Sequence, residues 1–229
     1  ARAMYEEIAA DFVKTEIDYF VGGGKKYFDR REDERNIYKE LENSGYYVSD
    51  FIKEEFDQVK SNFETNFAYF TSDSDPLPVA QGRDYLPLAS KMGAVFLKNH
   101  SEKGFFMMVE GSQIDWGGHA NKTDYIITEM IDSDKAIAEI LAFAKEDGET
   151  LIVVTADHET GGFAINPGST MDSIVGEFTS DYHTATMIPV FAYGPGAELF
   201  SGIYENTAIY DKMRLALGFE DETTAQKEK

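Results

Sequence analysis

Leu151-Ile152-Val153-Val154-Thr155-Ala156-Asp157-His158-Glu159-Thr160-Gly161-Gly162 is the stretch that decides the fold. Its first five residues form a short, continuous apolar and β-branched run, the pattern of a strand covered on both faces. Asp157 and His158 follow at once, and burying two such groups is costly unless they are paired or coordinated. Gly161 and Gly162 then let the backbone approach another group closely. A strand that runs into titratable side chains reads as the ligand-bearing edge of an open α/β sheet, where ligands bind outside the carboxyl ends of strands.

Working outward, the same alternation of helical period and apolar run recurs. Just upstream, 123–145 is a long amphipathic helix closing before Gly148, and Gly104-Phe105-Phe106-Met107-Met108-Val109 reads as a second buried strand. Downstream, a polar segment, 166–182, leads to His183, a strand over 188–193 and a closing helix over 206–217. Nearer the start, a helix over 3–14 would place Met4, Ile8 and Phe12 on one stripe. A strand over 17–21 stops at Gly22-Gly23-Gly24, a helix over 33–43 closes on Gly45, and Phe67 to Phe70 is another strand. The loop 71–84 precedes a helix over 87–99. The expectation is one α/β domain over 1–229, with a mostly parallel central sheet flanked by helices on both faces and a frayed acidic tail at 220–229.

Composition narrows the function classes. Asp and Glu outnumber Lys and Arg 42 to 21, a net charge of −21 that repels phosphate backbones and anionic bilayers, so neither nucleic acid nor membrane is expected as a partner. With no cysteine, a transition metal would have to sit on His, Asp and Glu. Ala1-Arg2-Ala3 has neither the basic nor the apolar region of a signal peptide, which leaves the compartment open.

Three of the 4 histidines fall beside carboxylates or strand ends. Asp115 and His119 are four apart, so on a helical turn both face one side and can share an ion. Glu110 directly follows an apolar run, His158 follows Asp157, and His183 precedes a strand. Taken singly, a histidine at a strand boundary is more often structural, and an aspartate there is often a cap or turn residue. His100, in a polar stretch, reads as a surface residue. Gly22-Gly23-Gly24 with Lys25 and Lys26 lacks the spacing of a phosphate-binding loop and reads as a turn. Asp132-Ser133-Asp134 lies inside the long helix and suits surface or capping chemistry rather than a nucleophile. Arg35, Arg83 and Arg214 read as solvated or surface ion-paired.

Taken together, the strings resemble one family. Val109-Glu110-Gly111-Ser112-Gln113-Ile114-Asp115-Trp116-Gly117-Gly118-His119, the stretch Thr155 to Gly162, and His183-Thr184 followed by Phe191 to Gly196 are similar to alkaline phosphatase motifs. Gly22 to Lys25 and Arg2 extend the likeness almost end to end, over roughly the second half of the family's chain. The resemblance implies that Asp115, His119 and His183 bind one zinc, that Asp157 and His158 bind a second, and that Glu110 binds a magnesium. Arg2 matches the family's phosphate-clamping arginine, whose planar fork suits a phosphoryl group. It further implies hydrolysis of small phosphate monoesters through a phosphoserine, a periplasmic or extracellular location, and a family habit of homodimers.

Departures from the family pattern carry expectations of their own. The Asp-Ser-Ala string holding the family's nucleophile does not occur, nor does the aspartate that bridges the second zinc and magnesium. The chain alone is therefore expected to be inactive, as a fragment, a cleaved product or a divergent metal- or phosphate-binding domain. Sulfatase chemistry within the wider superfamily is the competing enzyme reading. Trp116 stands where the family often has Lys or His, and an indole offers a single donor near the substrate. The short 158–183 segment implies a crown subdomain that is reduced or absent, so the family's usual dimer contacts do not carry over.

Overall fold

A computed structural model describes residues 2–60, 62 and 64–219. The acidic tail expected at 220–229 lies outside the described residues. The chain divides into two compact units, Ala1–Gly111 with Thr128–Glu139, and Ser112–Ile127 with Ile140–Lys229.

In the first unit, β1 (Tyr19–Gly22), β2 (Tyr47–Asp50) and β3 (Phe67–Phe70) form a parallel sheet in the order β1-β3-β2. Tyr19 and Tyr47 both register with Phe67, so β3 is central and all four of its residues are buried. A strand with neighbours on both edges and cover on both faces needs apolar residues at every position, which Phe-Ala-Tyr-Phe supplies. Its side chains then sort with period two. Ala68 and Phe70 join a cluster with Phe28, Ile37, Leu41 and Val48, while Phe67 and Tyr69 join one with Ala89, Phe96 and Leu97. Helices α1 (Tyr5–Asp11), α2 (Lys26–Asp29) and α3 (Ile37–Asn43) supply the first cluster, and α4 (Leu86–His100) supplies the second. Tyr19 stacks on Phe67 and donates its hydroxyl to the Ala89 carbonyl at 2.9 Å, and burial pushes its phenol pKa up. The α/β expectation holds, with helices on both faces of a parallel sheet.

The cap of α3 is set locally. Asn36 Oδ1 accepts from the Lys39 amide at 2.9 Å, satisfying one of the orphan donors of the first turn. Asn36→Ala should lower unfolding free energy by about 1 kcal/mol without altering the sheet. A urea titration would show this as a lower midpoint at unchanged slope.

Four local expectations are corrected. On α1 the buried residues are Ala9 and Ala10, while Met4 and Ile8 are exposed; the helix covers only Tyr5–Asp11, and its small residues allow the close approach. Residues 104–109 fall in no helix or strand and pair with no strand among the described residues. Phe105 and Met107 pack against the second cluster, whereas Phe106 and Met108 are 63% and 72% exposed, so one face of that run is uncovered. His100 is not a free surface residue, because its ring stacks on Phe96 at 5.0 Å and its Nε2 lies 3.6 Å from Asp18.

Arg83 and Asp132 are the fourth correction. The long helix α6 (Thr123–Asp147) turns Glu129 and Asp132 inward, three apart on one face, and the buried Arg83 reaches both. Arg83 Nη2 lies 2.5 Å from Glu129 Oε2 and 2.9 Å from Asp132 Oδ2, and Glu129 Oε1 also accepts from the Val79 amide at 2.8 Å. Taken singly in the sequence, Arg83 and Asp132 read as surface groups, yet pairing is what allows them inside.

The second unit contains α5 (Gln113–His119), β4 (Ile152–Val154), β5 (Glu159–Thr160), β6 (Ala164–Ile165), β7 (Gly176–Glu177), β8 (His183–Thr184), β9 (Phe191–Tyr193) and α7 (Ala208–Ala216). Its strands pair antiparallel as β4 with β9, β5 with β8 and β6 with β7. β4 is half-buried rather than fully covered. Gln113 is buried at the start of α5 and accepts from the Tyr125 hydroxyl at 2.7 Å.

Candidate metal centre

Three short elements of the second unit converge on one cluster. The motif Asp115-Trp116-Gly117-Gly118-His119 folds as α5, so the four-residue spacing does put both donors on one side: His119 Nε2 lies 3.4 Å from Asp115 Oδ1. Gly118 lets this helix reach β5, since a Cβ there would sit 2.6 Å from the Thr160 carbonyl oxygen. Gly161, at φ 91°, turns the chain just after β5 in a conformation that side chains rarely adopt. β8 pairs with β5, with Thr160 opposite His183 and Glu159 opposite Thr184, and so brings the third donor in.

As a result, the ligand atoms of Asp115, His158 and His183 lie within 4.8 Å of one another. His183 Nε2 is 3.8 Å from Asp115 Oδ1, and its ring stacks on His158 at a centroid distance of 3.5 Å. Asp157 follows β4 with its side chain exposed, and its Oδ2 lies 3.4 Å from His158 Nε2. Asp115, His158 and His183 are partly buried, in reach of solvent yet held by neighbours.

The hydrogen bonds around the cluster orient it. His119 Nδ1 is 2.7 Å from the Asp181 carbonyl, which can only accept, so the ring proton is on Nδ1. With Nδ1 held by that carbonyl, Nε2 is the ring nitrogen that faces the Asp115 carboxylate, and the two are placed to serve one cation. A mixed imidazole and carboxylate set with no thiolate suits zinc. The donor set therefore fits a metal ion, and the backbone carbonyl plays the usual outer role of fixing the ligand tautomer.

Glu159 has a different task from its neighbours in the motif. Its carboxylate accepts from the amides of Gly162 at 3.1 Å and Phe163 at 3.2 Å and from the Thr184 hydroxyl. It thereby ties the turn after β5 to β8, the strand that carries His183. Thr160 donates to Asp115 Oδ1 at 2.6 Å and lies 3.2 Å from His158 Nδ1. Tyr182 stacks on His183 at 4.6 Å. None of these three was singled out from sequence, although Glu159 and Thr160 lie inside the deciding stretch; only the β5–β8 pairing shows where their side chains go.

Glu110 and Arg2 belong to the first unit, and both are exposed there. Trp116 lies beside Asp115 on α5 and is 38% exposed.

The family model for alkaline phosphatase matches residues 2–177. The chain belongs to the alkaline phosphatase family. Alkaline phosphatase 3 of Bacillus subtilis is 36% identical over 179 residues, covering 78% of this chain and 37% of the relative. Alkaline phosphatase 4 of the same organism is 30% identical over 266 residues, covering 85% and 56%. Among solved structures, the alkaline phosphatase of the Antarctic bacterium TAB5 is 39% identical with a TM-score of 0.82, covering 94% of this chain and 65% of that one. A variant of that enzyme, solved with Mg bound in its M3 site, superposes with a TM-score of 0.85 at 40% identity, covering 96% and 66%. The chain thus spans between about a third and two thirds of the length of these alkaline phosphatases.

Proposed function

We propose that this chain supplies the metal-binding part of a phosphate monoesterase, and that the complete protein hydrolyses small phosphate monoesters through a phosphoserine. The observation that supports this most directly is the convergence of Asp115, His158 and His183, with His119 beside them, in a chain of this family. Asp115, His119 and His183 would hold one zinc, Asp157 and His158 a second, and Glu110 a magnesium. Bound zinc supplies Lewis-acid charge stabilisation for phosphoryl oxygens.

The chain's own residues do the rest. Arg2 would pair two phosphoryl oxygens through its planar guanidinium and hold the ester for in-line attack. Trp116 would line the substrate side of α5 and offer its single indole N–H where a cationic side chain would carry charge. The tether of His119 to the Asp181 carbonyl keeps its Nε2 aimed at Asp115. The nucleophilic serine would come from a segment this chain does not include, so the 229-residue chain by itself should show no substantial turnover. No helix among the described residues is long and apolar enough to cross a membrane. A periplasmic or extracellular location belongs to the same proposal and is supported by the family likeness alone. Homodimerisation, as a habit of the family, belongs to the same proposal.

A side-by-side assay tests the reading. Full-length protein should hydrolyse p-nitrophenyl phosphate faster than p-nitrophenyl sulfate. Sulfatase activity exceeding phosphatase activity would overturn it in favour of the sulfatase branch, and zinc binding with neither activity would make the protein a binding domain.

A further inference from the structure

One hydroxyl touches two donors assigned to different ions. Thr160 Oγ1 is 2.6 Å from Asp115 Oδ1 and 3.2 Å from His158 Nδ1, both within hydrogen-bond range. A threonine hydroxyl has one proton and two lone pairs, and an ionised carboxylate only accepts. The proton of Thr160 is therefore committed to Asp115, and towards His158 the oxygen can only accept. That contact requires the imidazole proton to sit on Nδ1, which leaves the Nε2 lone pair for a metal. Thr160 is partly buried and its backbone is fixed by pairing with His183 and by the approach of Gly118, so the hydroxyl has little freedom to turn elsewhere.

We propose that Thr160 is a positioning residue that holds His158 in the Nδ1–H tautomer and links it to Asp115, so that donors of the two zinc sites are oriented as one unit. His119 is oriented separately, by a backbone carbonyl, and does not depend on this hydroxyl. The inference rests on the metal reading above only for its consequence in zinc affinity; the tautomer itself is a property of the metal-free protein.

The test uses metal-stripped, full-length protein labelled with ¹⁵N-histidine, the His158 resonance being assigned by its loss in a His158→Asn variant. The expected spectrum shows His158 as the Nδ1–H tautomer in the wild type and in Thr160→Ser, and a shift towards Nε2–H in Thr160→Val. By calorimetry, Thr160→Val should bind zinc about 10- to 100-fold more weakly, the range typical of lost outer partners of ligands, and Thr160→Ser should restore binding. A wild-type His158 in the Nε2–H form would overturn the proposal even if the valine variant fails to fold. A folded valine variant with unchanged tautomer and affinity would overturn it as well. Absence of zinc binding by the wild type would instead strike the metal reading and leave the tautomer result to decide this one.

Discussion

Asp115→Ala is expected to weaken zinc binding by more than about 100-fold, since removal of an outer partner alone typically removes 10- to 100-fold and this carboxylate is the point on which the cluster converges. His119, His183 and Thr160 all direct an atom to the same Oδ1, at 3.4, 3.8 and 2.6 Å. Taking it away deletes a donor, frees the Thr160 hydroxyl, and leaves the two imidazoles without the anion that draws a cation between them. Phosphate ester hydrolysis by the full-length protein should fall with it, and excess zinc should restore activity only in part. Calorimetric titration and a zinc-dependent rate curve on the same preparation check both statements. Retention of wild-type affinity would mean that the ion is held elsewhere.

The largest effect on stability should come from Arg83→Met. The guanidinium is the partner of two buried carboxylates, with side-chain exposures of 5% for Arg83, 1% for Glu129 and 8% for Asp132. Removing one partner of a buried pair leaves charge without compensation, typically a loss of about 3–5 kcal/mol, against a total folding stability of about 5–15 kcal/mol. Chemical denaturation should show a much lower midpoint, with the local geometry of the Asp115, His158 and His183 cluster unaffected in whatever fraction stays folded. Adding Glu129→Gln and Asp132→Asn should recover part of the loss, because neutral amides tolerate burial better than unpaired carboxylates. A triple variant no more stable than Arg83→Met would argue that the guanidinium acts by packing rather than by charge.

The sequence resolved the parts of this protein in which one local rule dominates. Phe67–Phe70 reads as a covered strand because a central parallel strand must be apolar at every position, and α6 reads as a helix because its amphipathic period runs up to Gly148, which takes the left-handed conformation just past the end. Asp115 and His119 were legible as a pair since the helical period alone places them together. What failed to show were features set by long-range pairing. The face of α1 depends on which side meets the sheet, and small residues rather than the large apolar stripe made that contact. The 104–109 run has strand composition without a strand neighbour. Asp132 and Arg83, 49 residues apart, carry no local mark of their partnership, and Thr160 looks like filler until β5 pairs with β8.

Alternation along the 105–108 run also sets a chemical contrast between adjacent thioethers. Met107 is turned into the second cluster and touches the Gly93 position of α4, whereas Met108 is 72% exposed. Oxidation to the sulfoxide follows exposure, and it changes a flexible apolar side chain into a polar one. Under mild peroxide, peptide mapping should find Met108 converted well before Met107. A first oxidation there would leave the core untouched while making the uncovered face of the run more water-compatible, and a second, at Met107, would insert a polar oxygen against Tyr19 and α4.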